Sequence, residues 1–292
     1  MEKYNSSNYL QMREIGRFIR IFSLDIVAGA LASCYLAGLL LDADIEFPAY
    51  LVLGLTVFFI YSFDHLMDGL GKGDKKEGIT YHYFFQHHRY LTVMVLLTGV
   101  SVVVISLFWL EVKIILFGLV LSTLTGLYFL LHFLGGRLSR HLFPKEISIS
   151  LIYSLATWGL AWLNSVNQVK PSEILMFSVF TLMVFSNVMT YTFYDFETAR
   201  LITTLHKKTG RKPGLRILII ILLLFCILLT CVNFLFYRSE PGSIYIIYFL
   251  MNLTLLVPLL FSNLPFIRKY YGTLADAAFI LPGLLWIAGL FS

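Results

Sequence analysis

The sequence predicts an all-α fold: a polytopic membrane bundle of nine transmembrane helices around a central cavity that opens to the cytoplasmic side. Three observations predict it. The 292 residues are 58% hydrophobic and only 13% charged, with mean hydropathy +0.80, whereas soluble domains carry about 25% charge. Apolar stretches of about 20 residues, the length that spans a bilayer, recur along the whole chain. The Lys and Arg residues are distributed with a strong one-sided bias. Aromatic residues at 16% exclude a disordered chain. The net charge of +5 fits basic cytoplasmic loops, so the lipid bilayer is the expected partner and nucleic acid is not.

The nine spans are expected at 18–41, 48–68, 90–110, 113–134, 147–165, 173–195, 215–237, 243–262 and 273–291. The acidic run Asp42 to Glu46 and Pro48 separate the first two. Glu111 and Lys113 mark a tight turn between the third and fourth. Gly135-Gly136-Arg137 opens the next break, and Pro144-Lys145-Glu146 closes it. Pro171 starts the sixth span, because proline is tolerated in a first helical turn. The polar first 17 residues, with Glu2, Lys3, Arg13, Glu14 and Arg17, do not read as a cleavable signal peptide. Cys34, Cys226 and Cys231 lie in apolar stretches without a CxxC pair and read as small hydrophobes.

With the N-terminus in the cytoplasm, 19 of the 22 Lys and Arg fall in inner segments, leaving Lys113, Lys170 and Arg238 outside. That bias sets the orientation and puts the C-terminus on the outer side. Residues 1–292 then form a single integral-membrane domain, with a cytoplasmic cap from loops 69–89 and 196–214. The oligomeric state stays open.

Ionisable groups inside spans are expensive and functional by default. Asp25, Asp64, Asp68, Asp195, Glu197 and Asp276 all fall toward the cytoplasmic ends of spans, and the outer ends hold only loop acids. Asp64 and Asp68 are one helical turn apart, about 40° around the axis. Two like charges so placed call for a positive partner, and hard oxygen ligands suit Mg²⁺ shared with substrate phosphates. Basic residues follow the same span ends: Lys72, Lys75, Lys76 and Arg89 after the second, and Arg200, Lys207, Lys208, Arg211 and Lys212 after the sixth. Arg20 and Lys145 lie near the same face. Carboxylates, a cation and Lys/Arg together make a pocket for a diphosphate, although positive-inside anchoring alone accounts for most of the basic residues. Tyr81 to Arg89 holds His82, His87 and His88, with no second box to match, so it reads as an interfacial aromatic segment rather than half of a di-iron centre.

This pattern resembles the UbiA superfamily of intramembrane prenyltransferases. The resemblance covers the topology of the whole chain and two short stretches of sequence: Ile60 to Asp68, similar to the family's NxxxDxxxD, and Asp195 to Arg200, similar to its DxxxD. Ile60 stands where the family has Asn, and Ala199 where it has the second Asp; Glu197 is nearby, and His206-Lys207-Lys208-Thr209-Gly210 looks like the basic run that follows. The resemblance implies Mg²⁺ held by Asp64, Asp68 and Asp195 as catalytic residues. It implies substrate contacts from Arg20, Lys145, Arg200, Lys208 and Glu197. The reaction implied is transfer of a prenyl group from a prenyl diphosphate to a lipophilic, aromatic or non-aromatic acceptor. Two other outcomes are compatible with the same site: internal capture of the cation by an intramembrane terpene cyclase, or isoprenoid-lipid binding without catalysis. A secondary transporter fits less well, since its polar groups gather at the midplane.

Overall fold

A computed structural model describes residues 16, 18–72, 83, 86–134, 145–198, 212–237 and 241–289. Among these residues all regular structure is helical: α1 Leu24–Leu41, α2 Phe47–Lys72, α3 His88–Trp109, α4 Val112–Leu134, α5 Lys145–Asn164, α6 Pro171–Thr198, α7 Lys212–Phe236, α8 Gly242–Leu260, α9 Pro265–Ile280 and α10 Gly283–Gly289. Eight of them, α1 to α8, are long and apolar enough to cross a membrane. The protein is therefore an all-helical, multi-pass membrane protein.

Two expected spans differ from these helices by more than their end residues. The first, expected as one run over 18–41, is helical over 18–21 and again from Leu24, with a break at Phe22 and Ser23: Ser23 takes a left-handed φ of 51° and its carbonyl starts the second stretch by accepting from Ile26 and Val27. The last, expected as one run over 273–291, is two helices with a turn at Leu281 and Pro282. Pro282 has no N–H to continue the ladder, and the chain turns through bonds from Leu284 to Leu281 and from Leu285 to Pro282. The first of the two helices starts as early as Pro265, within an expected loop. Its Arg268 and Lys269 are exposed, while Ile267, Gly272, Ala275 and Phe279 are buried.

The chain divides between Ala30 and Leu31, between Glu46 and Phe47, and between Leu110 and Glu111 into two compact units. In the unit that holds α2 and α3, these two helices pack side by side. Their core is Ile21, Leu66, Leu91 and Val95, flanked by Phe22, Phe59, Phe63, Tyr83 and Met94. Gly99 on α3 lets Phe59 approach, since a Cβ there would stand 3.0 Å from the ring.

In the other unit α6 is the central helix, packing on α5, α7, α8 and α9, while α4 packs on α5. Its aromatic core joins Tyr153 and Trp158 of α5, Phe177 and Phe180 of α6, and Phe279 of α9, with ring centroids 5.6 to 6.4 Å apart. Pro171 opens α6 as expected. Lys170 precedes it, and Glu173 reaches back to the Lys170 N–H at 2.8 Å and to its Nζ at 3.5 Å, which is one half of a capping box. Within the same unit α1 ends on Asp42 with φ 49°, and the Ala43 N–H closes onto the Gly38 carbonyl at 2.9 Å, a Schellman stop. The Leu41 carbonyl also accepts from Ser165 Oγ at 2.8 Å.

Candidate functional site

The α2 end of the candidate site grows out of an unbroken helix. The chain stays helical through Lys72, four residues past the expected span, so positions 64 and 68 lie one turn apart on a regular helix. Asp64 is half-buried and forms no hydrogen bond or ion pair with a described residue. Its neighbour His65 is fixed instead, with Nε2 3.1 Å from Ser23 Oγ. The Asp68 side chain lies outside the described residues. A carboxylate without a partner among the described residues, with a second carboxylate position one turn beyond it, is a donor set that fits a hard divalent cation. Arg20 is exposed just before Ser23.

The α6 end is built differently. The helix runs through Thr198, so positions 195 and 197 stand about 200° apart around its axis. Glu197 therefore does not share a helical face with Asp195, and this motif supplies one carboxylate position rather than two. The side chains of Asp195 and Glu197, together with Arg200 and Lys208, lie outside the described residues. So do most of the two expected cap loops, 73–82, 84–85 and 199–211. Lys145 is the first residue of α5 and is exposed. Among the described residues no group of three or more His, Cys, Asp or Glu comes together.

Three acids have places that sequence reasoning missed. Glu146, read as part of a loop break, is in the first turn of α5 and only 3% exposed. Its Oε1 accepts from Thr192 Oγ1 at 3.5 Å. The signal was present in the run Glu146, Ser150, Ser154 and Thr157, which a helix stacks on one face and which is buried throughout. Asp276, noted only as a span acid, is buried on α9 and accepts from Asn187 Nδ2 at 3.1 Å and from the Tyr191 hydroxyl. Glu173, buried at the start of α6, corrects the expectation that the other helix ends hold only loop acids. Asp25 has a structural role within reach: it lies in the first turn of α1 and accepts from the Ile26 N–H at 3.0 Å, where the helix dipole favours an anion.

The chain matches no protein-family model, no curated protein and no solved structure.

Proposed function

We propose that the chain is an intramembrane transferase that moves a prenyl group from a prenyl diphosphate to a lipophilic acceptor. One observation carries this reading: two membrane-length helices, α2 and α6, each run on into carboxylate positions at one end, Asp64 and Asp68 on α2 and Asp195 on α6. In this reading the bundle has nine crossings around a central cavity, with α9 and α10 supplying the ninth. The N-terminus is cytoplasmic, and the carboxylate ends face that side as one membrane domain.

Asp64, Asp68 and Asp195 would hold Mg²⁺, which when bound would neutralise the departing diphosphate. Arg20, Lys145, Arg200 and Lys208 receive the remaining phosphate oxygens through charge-assisted hydrogen bonds. Apolar helix faces would exclude water from an allylic cation until the acceptor captures it and releases a proton. The test is thermal stability of the purified protein across a panel of prenyl diphosphates, titrated with Mg²⁺. Stabilisation that needs both ion and lipid is the expected result; none at any chain length sinks the proposal.

The position of Glu197 off the Asp195 face favours a second reading, in which a reduced second motif binds a diphosphate lipid without turning it over. That reading predicts the same stabilisation with no consumption of the lipid. Incubation with prenyl diphosphate alone separates a third outcome, since a cyclic hydrocarbon or alcohol would mark a cyclase.

A further inference from the structure

We infer that the interior of the unit built around α6 holds a site for one monovalent metal cation, with Glu146 as its anionic ligand. Its anionic ligand takes no part in the diphosphate site proposed above, and the cation site stands whether or not that proposal does. Glu146 is 3% exposed. Among the described residues its Oε1 has one hydrogen bond, the 3.5 Å contact from Thr192 Oγ1, and its Oε2 is buried with no hydrogen-bond partner. Its backbone carbonyl is already occupied by Ser150 Oγ at 2.6 Å. A carboxylate removed from water needs a countercharge or several donors, and one long hydroxyl contact supplies neither.

Among the described residues the neighbouring groups do not fill that need: the start of α5 favours an anion through its dipole but supplies only a partial charge. Lys145, next in sequence, is exposed, and Glu146 forms no ion pair with a described residue. The other buried acid reached from this turn of α6, Asp276, has its own donors in Asn187 and Tyr191. Carboxylate and hydroxyl oxygens are hard donors, suited to alkali and alkaline-earth ions rather than to soft metals. Charge decides between those two. One carboxylate among neutral hydroxyls is balanced by a single positive charge, whereas a divalent ion would leave a surplus charge buried in an apolar bundle.

The experiment is the unfolding temperature of the full chain in detergent, at constant ionic strength, with N-methylglucamine chloride replaced stepwise by lithium, sodium or potassium chloride. A saturable rise with at least one alkali cation is expected, following ligand linkage. Glu146→Gln keeps the shape and removes the charge; it is expected to abolish that rise, while Asp64→Asn leaves it intact. Thr192→Val removes the one hydroxyl partner, and a several-fold higher half-saturating concentration is expected, which keeps the proposal testable if Glu146→Gln does not fold. No alkali-specific rise overturns the site, as does a rise that survives in Glu146→Gln or an unchanged half-saturation in Thr192→Val. Stabilisation by acidification alone also overturns it and assigns a proton to Oε2.

Discussion

The Tyr191 hydroxyl of α6 donates a hydrogen bond to Asp276 Oδ2 of α9, and Asn187, one turn earlier on the same stripe, donates to Oδ1 at 3.1 Å. A carboxyl that is 7% exposed is thus satisfied by two neutral donors from one helix. The Tyr191 ring is itself oriented by an edge contact with Tyr271, centroids 5.5 Å apart, so the hydroxyl is held toward the acid before the bond forms.

Tyr191→Phe keeps the ring contact and removes the donor. Leaving one oxygen of a buried acid short of a donor costs about 1–3 kcal/mol, so the unfolding free energy measured in detergent should fall by that amount. Adding Asp276→Leu should recover part of the loss, because the acceptor then needs no donor. A single-variant effect near zero would show that Asp276 finds other partners at no cost.

A second polar clamp lies at the opposite end of α6. Asn233 of α7 donates to the Ser172 carbonyl at 2.9 Å and accepts from the Tyr245 hydroxyl of α8 at 2.9 Å. Asn233 is 1% exposed, so Asn233→Leu removes both bonds within an apolar interior. The expected loss is about 1–3 kcal/mol. Tyr245→Phe in the Asn233→Leu background should add much less than it does alone, and full additivity in that double-mutant cycle would rule out the clamp.

The seam between α4 and α5 turns on one glycine. A Cβ at Gly159 would stand 2.1 Å from Phe117 Cζ. Alanine in a helix is favoured over glycine by about 1 kcal/mol, but overpacking costs about 1–3 kcal/mol, so Gly159→Ala should destabilise. In a Phe117→Ala background the clash is gone and only the helix preference remains. There the same substitution should be neutral or stabilising, a reversal of sign that denaturation of both pairs would read directly.

Eight of the nine expected spans were legible as membrane-length helices, because long apolar runs leave few alternatives in a chain this poor in charge. What composition could not show was how a charge is used. Arg268 and Lys269 read as a loop, yet they occupy the exposed face of α9, with Arg268 Nε donating back to the Ser262 carbonyl at 3.0 Å. A hydropathy window likewise passes over Pro282, since one missing N–H does not change the apolar count. Glu146 was lost for a related reason: beside Pro144 and Lys145 it resembles a break, and only the helical register of Ser150, Ser154 and Thr157 turns its face inward. In the candidate site, the Asp64–Asp68 spacing carried over to the helix unchanged. The pairing of Asp195 with Glu197 did not, because it required the helix to unwind where α6 stays helical.

That last point gives the proposed site its sharpest test. Asp64 has no hydrogen bond to a described residue to lose, so Asp64→Asn should leave the unfolding temperature nearly unchanged. If Asp64 is a metal ligand, the same substitution should reduce turnover of an allylic diphosphate roughly 100-fold or more, the scale seen when one electrostatic stabiliser is removed. Glu197→Gln, off the Asp195 face, should change turnover less than about threefold, within the range expected for a group that makes no transition-state contact. Asp195→Asn should behave like Asp64→Asn. Equal losses from Asp195→Asn and Glu197→Gln would mean that α6 unwinds when the diphosphate binds. Unchanged turnover in Asp64→Asn would remove α2 from the chemistry altogether.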